Sequence, residues 1–339
     1  MIDLHTLLGL AIGDALGAPT EFKTAAEVQR RWPDGFTTFQ PGSPFGFAAG
    51  EATDDTQMTL ATLSGLQDSA SPPVPAALRH FITWNRSGPP DVGRQTHTAL
   101  LARAPVGGWV TWLAEGGDAA GNGGLMRAAA PFIHGLRGES LRRVTLSTVA
   151  LTHPDPRCLI SSVLLADLLE RLQTTGDVDR AARAATDAAI TYVQRSGLDH
   201  LTEDGLFLDR DARDDTRTRT LVAARWPQAV QSAAEAAHAC VTSALQGKRT
   251  TPSGYTLDTL QNALATGTGE TYLDVVLPHA LRGGDSDTTA AVAGALAGGR
   301  RLPLPDDLAA TVRVGHTWGD WQRQWTVQHA AQRLLRAHA

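Results

Sequence analysis

Two cysteines, Cys158 and Cys240, are all that the 339 residues contain, and no CxxC pair occurs. A pair of isolated thiols cannot build a disulfide framework, so a reducing cytoplasm is the economical compartment. Aromatic residues make up only 6% of the chain, with three tyrosines. Few aromatic residues against abundant Ala and Leu favours helix over strand. No lysine- or arginine-rich block is present and the formal net charge is −5. Charge-driven binding to nucleic acid or to an acidic membrane surface therefore has no support. No uninterrupted apolar run approaches the roughly 20 residues of a membrane span. The stretch LLGLAIGDALGA (7–18) follows Asp3 without Lys or Arg and is broken by Asp14, which argues against a secretory signal. P-loop and GxSxG motifs are also absent, which removes the NTPases and the commonest serine hydrolases.

What is present reads as helix. Apolar periodicity predicts helices near 54–67, 75–86, 139–152, 157–174, 178–196, 215–246, 256–267, 270–282 and 287–297. A further C-terminal helix is expected to carry Trp318, Trp321 and Trp325 as a core stripe. Loops are expected at PGSPFGFAAGEA (41–52), SGPPDVGRQT (87–96) and the glycine-dense EGGDAAGNGGLMRAAAP (115–131). The segment 207–219 imitates a calcium loop, but EF-hand spacing from Asp209 puts Asp214 where glycine is required and Thr220 where glutamate is required. It reads as an exposed loop and helix start. With no linker and no solenoid period, the expected architecture is all-α: one compact multi-helix domain over residues 1–339.

The chemistry is concentrated in two clusters. In TDDT, Thr53, Asp54, Asp55 and Thr56 stand before an apolar run; alone, such a cluster serves as a helix cap. Far along the chain, RGGDSDTT places Asp285, Asp287 and Thr288 after a glycine turn and before a small-residue helix. If the two helix starts meet, four carboxylates converge with no Lys or Arg in either cluster. At an effective dielectric of about 20, each pair about 4 Å apart repels by about 4 kcal/mol. Two divalent cations would cancel that charge. All-oxygen donors, with hydroxyls from Thr53 and Thr288, suit Mg²⁺ or Mn²⁺ rather than zinc or copper. Glycines 283 and 284 would let another backbone approach.

The stretches GLAIGDALGAPTEF, TDDTQM, DVGRQT, GNGGLMRAAAP, THPD and GGDSDTTAAVAGAL occur in that order between residues 9 and 298. In this the chain resembles the ADP-ribosylglycohydrolases, most of all the type named for the dinitrogenase reductase-activating glycohydrolase. The combination of TDDT with GGDxDT is specific; GNGG or THP alone is weak. Two positions depart from the pattern: Ala52 stands where many members have tryptophan, and Thr289 where many have asparagine.

The resemblance implies a dinuclear Mg²⁺ or Mn²⁺ site between helix N-termini, with Thr53, Asp54, Asp55, Asp285, Asp287 and Thr288 as ligands. It gives Glu21 of PTEF an acid–base role near the metals. It sets Asp91, a turn aspartate by itself, against the ribose and a guanidinium leaving group, with Gly93 allowing close approach. Asp14 reads as a supporting group or a buried cap. Gly121, Asn122, Gly123 and Gly124 are expected to present backbone N–H groups to a pyrophosphate; Asn122 can also reach a ribose hydroxyl. Arg127 meets phosphate or pairs at a helix start. His153 caps carbonyls or faces the ligand. The implied activity is removal of ADP-ribose from an ADP-ribosylated protein, N-linked to arginine. The alternatives are serine-linked, free-ester or nucleic-acid-linked ADP-ribose, or a non-catalytic ADP-ribose-binding module.

Overall fold

A computed structural model describes residues 2–206, 212–316 and 320–336. Helix dominates, as the Ala/Leu composition requires. Helices α1 (Leu4–Gly17) and α2 (Ala25–Arg31) are followed by a loop and by strand β1 (Glu51–Ala52), which runs straight into α3 (Asp54–Gln67). Next come α4 (Pro73–Arg86), α5 (Arg94–Leu101), α6 (Gly107–Ala114), α7 (Ala130–His134) and α8 (Gly138–Ala150). The middle holds α9 (Pro156–Leu172), α10 (Val178–Tyr192), α11 (Leu198–Glu203) and α12 (Ala212–Ala244). Helices α13 (Thr256–Ala265), α14 (Tyr272–Ala280), α15 (Ser286–Gly299) and α16 (Asp306–Thr311) precede β2 (Arg313–His316), β3 (Asp320–Thr326) and α17 (Val327–Arg336).

Two helices from opposite ends of the chain position the site. The apolar stretch of residues 7–18 lies in α1, where Leu7, Leu10, Ile12 and Leu16 are wholly buried. Gly9, Gly13 and Gly17 form a four-residue repeat along its face against α15. A Cβ on them would lie 2.5 Å from the Gly294 carbonyl, 2.1 Å from the Ala290 carbonyl and 2.4 Å from the Asp287 Cα. Backbone therefore meets backbone, closer than the usual 8–10 Å between helix axes allows for side chains. Tyr272, on α14, donates its buried hydroxyl to the Gly9 carbonyl at 2.6 Å. At the C-terminal end of α1, Thr20 donates its hydroxyl to the Ala280 carbonyl (2.6 Å), and Ser286 donates to the Gly17 carbonyl (3.0 Å).

The C-terminal segment departs from the expected helix. Residues 320–326 form β3, antiparallel to β2, with Trp325 opposite Val314, and β2 runs parallel to β1. A four-residue spacing is compatible with one face of a strand as well as of a helix, and tryptophan favours strands. Trp325 is half-buried, with the Arg333 guanidinium 4.0 Å from its ring. Trp318 lies outside the described residues, as do 207–211 of the calcium-loop imitation; α12 begins directly after, at Ala212. No helix among the described residues is long and apolar enough to cross a membrane.

Candidate active site

Strand β1 delivers Thr53 to the start of α3, and Asp285 stands at the N-cap of α15. Packing of α1 between these elements brings the two helix starts together. Thr53 sends its hydroxyl toward Asp55 and Asp287, each at 3.4 Å, and Thr288 sends its hydroxyl toward Asp55 at 3.3 Å. Asp285 accepts the Asn122 amide at 2.6 Å.

Two carboxylate triads arise. Asp14, Asp55 and Asp287 offer oxygens within 4.8 Å of one another, and so do Glu21, Asp91 and Asp287. Asp287 belongs to both. Burial raises the carboxyl pKa of Asp54, Asp55 and Asp287 well above the ordinary range, and the neighbouring carboxylates push them further the same way. Glu21 is lifted to about 11, by burial first and then by Asp287 and Asp91. Asp91 is raised to about 6 by burial, although a hydrogen bond with Asp54 opposes the rise.

Donors do not satisfy this charge. Asp55 Oδ1, Asp287 Oδ1 and Glu21 Oε2 are buried and lack a hydrogen-bond partner. Buried carboxylate oxygens are ordinarily paired or ligate a metal. Hard oxygen donors fit a cation of the Mg²⁺ or Mn²⁺ class, so the residues present suit a metal centre.

Beside the cluster opens a cavity of about 460 Å³. Glu21, Asp54, Asp91, Gly93, Asp285, Asp287 and Thr288 line one part; Gly121, Asn122, Gly123, Met126 and His153 line another. His153 has Nδ1 within 2.8 Å of the Thr152 hydroxyl, and burial holds its pKa well below the ordinary value, so the ring is neutral.

The sequence profile of the family described as ADP-ribosylglycohydrolase matches residues 4–338, nearly the whole chain. The chain belongs to the ADP-ribosylglycohydrolase family. It is 26% identical to an ADP-ribosyl-(dinitrogen reductase) glycohydrolase of Rhodospirillum rubrum, over 87% of this chain and 84% of that one. It is 27% identical to an ADP-ribosylarginine hydrolase of Pseudomonas putida, over 86% of this chain and 68% of that one. Among solved structures, an ADP-ribosylglycohydrolase-related protein complex superposes with a TM-score of 0.58 at 22% identity, covering 91% of each chain, which shows the shared fold.

Not every expected contact faces the cavity. Arg127 is turned into the interior. Its guanidinium donates to the Gly123 carbonyl and, at 2.5 Å, to the Thr152 hydroxyl, and it lies 4.9 Å from the Phe81 ring. Burial lowers its pKa to about 9, which still leaves it charged. It ties the glycine loop to the THPD turn from behind. Gly124 also faces inward, where a Cβ would lie 2.8 Å from Val149 and 3.0 Å from His153. Two of the loop's amides are occupied, since Gly121 N–H donates to Gln95 Oε1 and Asn122 N–H to the Gly254 carbonyl. The Asn122 side-chain amide donates to Asp285 and Thr259, which leaves its carbonyl oxygen as the group able to meet a ligand.

Three supporting residues stand behind the site: Asp14, read from the sequence as a supporting group or a buried cap, and two that were not assigned from the sequence. Asp14 accepts from Thr53 N–H, Thr56 N–H and, at 2.6 Å, the Thr56 hydroxyl. It caps α3 from another helix, which local motif reading cannot show. Gln95, inside DVGRQT, donates to the Ala119 and Thr152 carbonyls and so straps two loops together. The third is Thr259, which gave no signal. Glycines 283 and 284 do admit a backbone. A Cβ on Gly283 would sit 2.0 Å from the Lys23 carbonyl, and reciprocal bonds join Phe22 N–H to Gly284 O and Gly284 N–H to Lys23 O. That clasp fixes the turn carrying Glu21.

Proposed function

We propose that the chain hydrolyses the N-glycosidic bond between ADP-ribose and an arginine side chain of a protein. Two divalent cations, Mg²⁺ or Mn²⁺, would be held by Thr53, Asp54, Asp55, Asp285, Asp287 and Thr288. The observation carrying this reading is the pair of carboxylate triads sharing Asp287, with three buried oxygens left without partners. Bound there, the cations would neutralise the cluster and supply Lewis acidity toward the ribose hydroxyls and a water.

The remaining work falls to side chains. Asp91 sits on the cavity wall with a pKa raised to about 6, so it can take or give a proton near neutrality beside a leaving guanidine. Its negative form also complements a guanidinium, which favours arginine over a neutral alcohol. Burial and the neighbouring carboxylates keep a proton on Glu21, and positive charge brought next to it favours the ionised form that accepts a proton from water. Gly93 keeps the wall beside Asp91 low. Gly121, Gly123, the Asn122 carbonyl and neutral His153 form the part of the cavity suited to the rest of ADP-ribose. The volume of about 460 Å³ is that of a small-ligand site. Two relatives named as ADP-ribosylarginine hydrolases, from Pseudomonas putida and Serratia proteamaculans, support the arginine linkage. Two buried free thiols accord with a cytoplasmic setting, and we read residues 1–339 as one domain.

The deciding experiment is release of ADP-ribose from an arginine-ADP-ribosylated peptide with Mg²⁺, with Mn²⁺ and with EDTA. Metal-dependent release is expected, and Asp54→Asn or Asp287→Asn should abolish it while far-UV circular dichroism stays unchanged. Turnover retained in both variants would remove the metal site from the mechanism.

A further inference from the structure

Phe22, the residue after Glu21, is 68% exposed, more than any other large apolar side chain among the described residues. Single exposed hydrophobics are common and need no explanation. Two features set this one apart. Its φ is +57°, in the left-handed region that a bulky side chain rarely adopts. Its ring also forms part of the cavity wall, with Glu21, Asp91 and Asp287. The strained turn is held by the Gly284 clasp, in which Phe22 N–H donates to the Gly284 carbonyl at 2.7 Å. Phe45 backs the ring edge-on, with centroids 5.9 Å apart and planes at 69°. Strain of this kind, fixed by surrounding structure, collects at sites that handle ligands.

We propose that Phe22 is the platform on which the modified arginine of the protein substrate packs, making it a residue that sets leaving-group preference. This rests on the arginine reading above. A planar guanidinium stacks on an aromatic face and is drawn to its π-cloud. Asp91 and the exposed Glu115 also line this cavity and favour a cation within it. A neutral serine hydroxyl offers neither the plane nor the charge. Phe22 follows Glu21 in the same turn, and that turn is clasped to Gly284, the residue before the carboxylate Asp285.

The test compares wild type, Phe22→Ala and Phe22→Trp with an arginine-ADP-ribosylated peptide and a serine-ADP-ribosylated peptide, alongside calorimetric binding of free ADP-ribose with Mn²⁺. For the arginine peptide, Phe22→Ala should raise KM by about tenfold and Phe22→Trp should restore it. The ADP-ribose Kd should move less than about twofold, because ADP-ribose lacks the group that Phe22 meets. Loss of ADP-ribose affinity equal to the rise in KM would overturn the assignment and put Phe22 on the nucleotide. A fall in kcat with KM unchanged would also overturn it, since the ring would then merely hold Glu21. Wild-type turnover of the serine peptide alone would defeat the arginine reading and the platform with it. If wild type cleaves the arginine peptide and Phe22→Ala does so with unaltered KM, only the platform fails.

Discussion

Asp14 grips Thr53 across 39 residues of chain, both carboxylate oxygens accepting the Thr53 N–H at 2.9 and 3.0 Å. One of those oxygens also takes the Thr56 N–H and hydroxyl. A buried anion on α1 thus does what a side chain at the N-cap of α3 ordinarily does, and Thr53 keeps its own hydroxyl for the carboxylate cluster. The alternative left open for Asp14 resolves as a cap, one that also orients the candidate ligands.

Asp14→Asn should therefore weaken both fold and site. The amide oxygen can take the place that accepts from Thr53 and Thr56, but its N–H₂ then faces the Thr53 N–H, a buried donor against a donor, and the negative charge is lost. A loss of about 2–3 kcal/mol in chemical denaturation is expected, together with weaker Mn²⁺ binding by titration calorimetry. Unchanged Mn²⁺ affinity would mean that the cap supports the fold alone.

Metal binding should release protons. Glu21 is raised to about 11 and Asp14 and Asp91 to about 6, with Asp54, Asp55 and Asp287 raised as well, each chiefly by burial. A carboxyl must be ionised to hold a cation. Apparent Mn²⁺ affinity should rise from about pH 6 to about pH 8, and calorimetry in buffers of different ionisation enthalpy should count protons leaving. The linkage sign is fixed: acids whose folded pKa exceeds the unfolded value bind protons on folding, so without metal their contribution falls as pH rises through the folded values. Their burden is greatest in alkaline EDTA and is the part that Mn²⁺ relieves.

Gly13→Ala should separate α1 from α15. The new Cβ would stand 2.1 Å from the Ala290 carbonyl, a backbone atom that cannot swing aside. Overpacking of this kind is expected to cost about 3 kcal/mol, read as a lower melting temperature, and activity should fall with it. Gly176→Ala is the control, having no atom near the added carbon, and should stay within about 0.5 kcal/mol of wild type.

Arg127→Ala tests whether that guanidinium serves substrate or scaffold. Its bonds go to the Gly123 carbonyl and the Thr152 hydroxyl, so denaturation should show a loss of about 2–3 kcal/mol. A variant of wild-type stability with weakened ADP-ribose binding would restore Arg127 to the phosphate role expected from its motif.

Those residues mark how far the sequence could be read. TDDT and GGDSDTT lie at helix starts that turn signals reveal, so both clusters and the helices behind them were visible. Gly283 and Gly284 announced a close approach but not its partner, since the Lys23 carbonyl lies some 260 residues earlier in the chain. Gln95 and Thr259 work through tertiary contacts that leave no local pattern, and the helix that Asp14 caps was hidden for the same reason. For Arg127, motif position offered phosphate or a pairing at a helix start, whereas packing on Phe81 and the neighbouring loops turned it inward. The Trp325 segment went astray because four-residue spacing is shared by both regular structures, and pairing with β2 decided between them.

The union of α1 with α15 also orders events in time. A ribosome makes Asp14, Glu21 and the TDDT cluster well before their counterparts at 285–288, Thr288 following Asp55 by 233 residues. Contacts of such separation form late, after the intervening loop has been closed. Until then the first cluster is an acidic helix start with nothing opposite it. A site built from stretches so far apart cannot exist until the second of them has left the ribosome.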